Sequence, residues 1–300
     1  MADLIILRTS VLDIACEQSG PADATPVVLL HGFPYDPRGY DDVVAILNQA
    51  GFRTFVPYLR GYGATRFLSP DTPRSGEQAA LGHDLLELLD ALRLPRAILA
   101  GFDWGGRAAC IVSALWPERV IGLITCGGYN IQNIAASLQP AAPEQELRYW
   151  YQYYFHTERG RNGLTENRRA LCRLLWSLWS PTWSFDDATY ERTAASFDNA
   201  DFVDVVVQSY RHRMKAAPGD PRYARIEAQL ANQPIIRVPT ITIHGAVDGV
   251  TPAQGSESHA TYFGAHHERR VLANVGHNPP QEDPKAFAAA ILDLCGIALA

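Results

Sequence analysis

The segment Ala100-Gly101-Phe102-Asp103-Trp104-Gly105-Gly106 closes an apolar run at 96–103 and opens a stretch of helical pattern. Small residues at 101, 105 and 106 permit a sharp turn from strand to helix. Such a turn lifts one side chain, Asp103, above the sheet and beside the N–H groups of a helix N-terminus. An aspartate that merely capped the helix would not need glycines on both sides. With a reference pKa of ~3.9 its carboxylate is ionised at neutral pH, so Asp103 reads as a nucleophile. His31-Gly32-Phe33-Pro34 follows the apolar run 26–32, and the N–H groups of Phe33 and Trp104 form a candidate oxyanion hole. His31 itself reads as a structural histidine that holds the loop.

Two further residues complete the constellation. Asp248 follows the run 238–245 and His277 the run 267–277, beyond the carboxyl ends of strands, where open α/β sheets place their sites. Asp248 alone could be a turn aspartate and His277 alone a surface histidine. Together with Asp103 they follow the chain order nucleophile, acid, histidine. In that reading His277 is the general base and Asp248 fixes its tautomer.

The elements that must position these residues are legible as an alternation. Runs at 4–8 and 11–17 predict a leading hairpin. Buried strands are expected at 26–32, 52–58, 96–103 and 120–128, with helices near 40–50, 76–93 and 105–117 between them. That alternation implies a mostly parallel sheet with helices on both faces. It breaks after about residue 130 and resumes at 238–245 and 267–277, followed by a helix over 284–296. The expected organisation is a core of residues 1–135 and 236–300, with 136–235 inserted as a helical cap.

Composition excludes several classes. The net charge of −6 is spread along the chain, and no basic patch with interleaved aromatics suggests nucleic acid. No apolar run approaches the ~20 residues needed to span a bilayer, and the N-terminus lacks the pattern of a signal peptide. The 5 cysteines have neither CxxC spacing nor an even count, which favours buried thiols in a cytoplasmic protein over a disulfide framework or zinc site.

Over nearly its whole length the chain resembles the α/β-hydrolase superfamily. An aspartate at the turn is similar to epoxide hydrolases and to haloalkane or haloacetate dehalogenases, as are HGFP (31–34) and RGYG (60–63). The resemblance implies a two-step reaction without metal or cofactor. Asp103 displaces a leaving group from saturated carbon and forms an alkyl ester. His277 then activates water, which attacks the ester carbonyl while the Phe33 and Trp104 N–H groups hold the oxyanion.

The leaving group separates the branches. An epoxide oxygen departs as an alkoxide and needs a proton, for which a phenol of reference pKa ~10 is suited. Tyr149-Trp150-Tyr151-Gln152-Tyr153-Tyr154-Phe155 resembles the first epoxide-hydrolase cap motif and implies Tyr151 as one donor. Tyr151 and Tyr154 share a helical face, so the pattern leaves both in play. Val205-Val206-Val207-Gln208-Ser209-Tyr210-Arg211 resembles the second motif and implies Tyr210 as the other donor. A small hydrophobic epoxide is the expected substrate. The alternative, a dehalogenase, fits less well. Haloalkane dehalogenases resemble HGNP where this chain has Phe33, and haloacetate dehalogenases carry D-R-x-x-R, of which only Arg107 is matched. A more remote alternative is a ligand-binding protein that retains the fold without turnover.

Overall fold

A computed structural model of the chain describes residues 2–299. Its strands are β1 (Asp3–Arg8), β2 (Leu12–Ser19), β3 (Pro26–Leu30), β4 (Arg53–Pro57), β5 (Arg66–Phe67), β6 (Ala97–Gly101), β7 (Val120–Cys126), β8 (Thr240–Gly245) and β9 (His267–Leu272). They form one sheet in the order β1-β2-β4-β3-β6-β7-β8-β9, with β5 attached to β2. The pairs β1/β2, β2/β4 and β2/β5 are antiparallel, and every pairing from β4 to β9 is parallel. The mostly parallel sheet expected from the alternation is therefore present. The two-residue β5 was not anticipated, since so short a strand carries no periodicity to read.

Central strands are apolar because both faces are covered. Every residue of β6 and β8 is buried, and so is all of β3 after its first residue. Helix α1 (Asp41–Gln49) packs against the C-terminal helix, α11 (Pro284–Leu299), while α2 (Gln78–Ala91) packs against α3 (Asp103–Leu115). Helix α3 lies against β3, β6 and β7. Its run Trp104–Ser113 is wholly buried, and the small residues Gly105, Gly106, Ala108 and Ala109 let it approach the sheet.

Between β7 and β8 the chain forms helices and no named strand: α4 (Pro143–Arg148), α5 (Trp150–His156), α6 (Glu158–Trp179), α7 (Asp187–Ala194), α8 (Phe202–Arg213) and α9 (Ala224–Leu230). Polar ties hold them to the sheet loops. Trp176 donates its indole N–H to the Pro34 carbonyl at 2.8 Å, and Thr193 and Ser196 donate to the Asp36 carboxylate. Asp283 precedes α11, and a one-turn helix, α10 (Pro279–Glu282), precedes Asp283. Among the described residues no helix is long and apolar enough to cross a membrane. Four of the cysteines are buried and unpaired, with Cys295 half-buried.

Arg60, the first residue of RGYG, is 1% exposed. Its guanidinium forms a bidentate pair with Asp84 at 2.6 Å on each arm, donates to the Ser75 carbonyl and reaches the Tyr223 hydroxyl. Asp84→Ala would leave that guanidinium buried without a counter-charge, a loss of about 3–5 kcal/mol. A guanidinium chloride midpoint unchanged from wild type would contradict this reading of the motif.

Candidate active site

The turn between β6 and α3 is as tight as its glycines imply. Asp103 has φ +49°, a left-handed value for a residue with a side chain, the kind of strain that persists where surroundings over-determine it. A Cβ on Gly105 would lie 2.0 Å from the Leu30 carbonyl oxygen, and one on Gly32 2.4 Å from the Asp103 Cβ. Only glycine at 32 allows the loop after β3 to pass over the carboxylate. That passage brings the Phe33 N–H to Asp103 Oδ1 at 2.8 Å. The Trp104 N–H belongs to the first turn of α3, where backbone donors lack intrahelical acceptors. His31 accepts from the Leu59 N–H at 3.1 Å through Nε2 and its Nδ1 meets the Gly32 carbonyl, a fully bonded loop brace.

His277 Nδ1 and Asp248 Oδ2 are 2.8 Å apart, and the other Asp248 oxygen accepts from the N–H groups of Val250 and Thr251. His277 Nε2 lies 3.8 Å from Asp103 Oδ2, beyond hydrogen-bond range, and is without a hydrogen-bond partner. Burial alone would lower the imidazole pKa, but Asp248 and Asp103 outweigh it and raise it to about 10. Burial alone would likewise raise the Asp103 carboxyl. His277, Arg107 and the Phe33 N–H instead hold it below the ordinary aspartate value. The imidazole thus sits between two acidic side chains that favour its cationic form.

Residues outside the sequence-derived set position the histidine. Ser180 Oγ accepts from the His277 N–H at 3.1 Å and donates to Glu282, whose carboxylate also accepts from the N–H groups of Gly276 and Asn278. The signal for Glu282 was an acidic residue in the turn opened by Pro279-Pro280. Ser180, at the end of α6, had none.

Asp103, His277 and Asp248 open onto a cavity of about 220 Å³. Tyr149 and Tyr151 of the helical segment line it, as do Arg107, Gln132, Gln152 and Arg213. Tyr154 does not: its hydroxyl turns to α6, where a Cβ on Gly163 would lie 1.9 Å from it. Tyr210 is buried off the cavity wall, its ring 5.3 Å from that of Tyr151 and 5.6 Å from that of Phe33. Burial keeps both the Tyr151 and the Tyr210 phenols protonated well above the usual tyrosine range. The side chains with metal-ligand chemistry, Glu77, His212 and Glu227, cluster outside this cavity. Both of these glutamates are already engaged, with the Asp220 N–H and with Gln78 and the Ala79 N–H.

Known proteins with this architecture can be compared directly. A family model described as alpha/beta hydrolase fold matches residues 25–284. A crystal structure from Klebsiella pneumoniae, titled a "putative epoxide hydrolase", is 45% identical with a TM-score of 0.95; the alignment covers 98% of this chain and 97% of that one. Epoxide hydrolase 2 of Siraitia grosvenorii is 34% identical over 38% of this chain and 34% of its own length. Epoxide hydrolase B of Mycobacterium tuberculosis is 30% identical over 50% of this chain and 44% of its own. The chain thus spans between a third and a half of these two relatives. A family match over that range, and an end-to-end relative of nearly the same shape, make this chain a member of the α/β-hydrolase fold family.

Proposed function

We propose that the protein is a hydrolase that opens a small epoxide to a vicinal diol. The observation that carries the reading is a protonated phenol, Tyr151, on the wall of the cavity onto which Asp103 opens. An epoxide oxygen needs a proton as it leaves; a halide does not. The two epoxide hydrolases matched over part of the chain and the Klebsiella structure support the same choice. Residues 136–235 serve as the cap that closes over the core of 1–135 and 236–300, and bring Tyr151 to the substrate.

In the first step an Asp103 carboxylate oxygen attacks a ring carbon. The carbon–oxygen bond breaks and Tyr151 protonates the ring oxygen, with Tyr210 beside it as the second donor. Ester formation removes one of the two anions that hold His277 cationic. The imidazolium then returns a proton to the tyrosinate by way of solvent and becomes a base when one is required. It deprotonates water, water adds to the ester carbonyl carbon, and the N–H groups of Phe33 and Trp104 stabilise the oxyanion. On collapse the ester carbon–oxygen bond breaks, the leaving oxygen takes a proton from the His277 imidazolium, and the new carboxyl group gives its own proton back to His277, which releases the diol and regenerates the carboxylate.

The hydrophobic epoxide expected from the cap's composition is narrowed by the burial pattern. Trp176, Trp179, Phe197 and Phe202 are turned into the core, and apolar cavity wall is left to residues such as Ile131, Ile243 and Val250. A haloacetate dehalogenase is favoured by one observation, Arg107 on the cavity wall one turn beyond Asp103. Trp104 occupies the place of that family's other arginine. A side-by-side assay of styrene oxide, 1,2-epoxybutane, a bromoalkane, chloroacetate and a p-nitrophenyl ester separates the readings. Diol formation is expected to be the fastest reaction. Faster halide release would install the dehalogenase.

A further inference from the structure

The cavity wall carries two arginines, Arg107 and Arg213, that form no ion pair among the described residues. Arg107 sits on α3 four residues beyond Asp103, on the same helix face, about 6 Å away between Cβ atoms. It is 6% exposed, yet among the described residues its guanidinium makes no ion pair, and its Nε has no hydrogen-bond partner. Arg213, the last residue of α8, approaches from the helical insertion. It donates to the Gln152 side chain at 3.1 Å, and a rotated Gln132 amide offers its oxygen to the same guanidinium. Neither amide carries charge. The only acidic residues on the wall, Asp103 and Asp248, face His277.

Two buried like charges are costly to hold together. Burial and the neighbouring Arg213 charge push the Arg107 guanidinium down to about 10. A structural arginine at this depth is ordinarily paired, as Arg60 is with Asp84. Arg107 has no such pair and the bonds of Arg213 go to neutral amides, yet both guanidiniums line the cavity and have the planar geometry that recognises carboxylates. An outer cleft shares Gln132, Tyr149, Gln152 and Arg213 with the cavity, so an anion entering there meets Arg213 first.

The geometry points to a carboxylate on the substrate, held between Arg107 and Arg213 while the epoxide lies against Asp103. This deepens the epoxide reading and rests on it for the reacting end only. One helical turn between Asp103 and Arg107 allows a few bonds between the reacting carbon and the carboxylate. That spacing points to a short epoxy acid.

The test uses matched pairs on the intact protein. Calorimetric titration compares butyrate with butyramide, which cannot react, and diol formation compares 3,4-epoxybutanoate with 3,4-epoxybutanamide. Butyrate is expected to bind at least tenfold more tightly than the amide. The acid should exceed the amide at least tenfold in kcat/KM. Arg107→Met and Arg213→Gln, read separately in case one fails to fold, should each erase most of both ratios. Equal binding of butyrate and butyramide by wild type would overturn the arginine site, whatever the epoxides do. Tight butyrate binding with no diol from either epoxide would uphold the carboxylate site and overturn the epoxide reading.

Discussion

Asp103→Ala is expected to abolish epoxide turnover, by more than about 10⁴-fold, the scale on which losing a covalent nucleophile acts. The oxyanion donors and His277 remain in the variant, but neither can open a ring without a nucleophile. Asp103→Ala is also informative because the carboxylate's bonds are few. Oδ1 accepts from the Phe33 N–H, and Oδ2 faces His277 across 3.8 Å. Removing it does not relieve the left-handed backbone, since alanine keeps a Cβ at φ +49°. His277→Gln should behave differently. The carboxylate is still in place and Tyr151 still donates, so the first step proceeds and the second stalls. Intact-protein mass spectrometry should then find an increment equal to the whole epoxide, absent from Asp103→Ala and from the double variant. Equal activity of Asp103→Ala and wild type would end the reading outright.

Tyr151→Phe carries the second large effect. General-acid catalysis contributes typically 10²–10⁴-fold, and Tyr151 is the candidate donor on the cavity wall. Its acidity is tuned by two opposed influences, burial raising its pKa and Arg213 lowering it. Its hydroxyl accepts one side-chain bond, from Gln152 at 3.2 Å, so phenylalanine costs little stability. We expect a loss in kcat of at least about a hundredfold on an epoxide. Tyr210→Phe should lose less, because Tyr210 acts beside Tyr151 and off the wall. A steady-state comparison that ranks Tyr210→Phe as the more damaging variant would reverse the assignment of the two phenols.

The sheet was readable because buried parallel strands are unbroken apolar runs, and the runs at 96–103 and 238–245 contain β6 and β8. The turn was readable because Gly101 and Gly105 answer steric demands that no other residue meets. Other features depend on distance in three dimensions. Arg213 is separated from Arg107 by more than a hundred residues, and their lining one cavity follows from packing the helical insertion on the core, which no local pattern encodes. The choice between Tyr151 and Tyr154 had the same limit. Both satisfy helical spacing, and α6, through Gly163, decides which of them turns away. The cap's aromatics misdirect a reading of polarity for a related reason. Composition counts Trp176 and Phe202 equally with Tyr149, whereas only Tyr149 borders the cavity.

The covalent ester is the central claim, and the destination of water's oxygen tests it most directly. In a single turnover with enzyme in excess in heavy-oxygen water, the new hydroxyl of the diol comes from the Asp103 carboxylate. The product should therefore leave unlabelled, and a peptide containing Asp103 should gain one heavy oxygen. Fully labelled diol with an unlabelled Asp103 peptide would mean that water attacks the epoxide itself, and would contradict the mechanism.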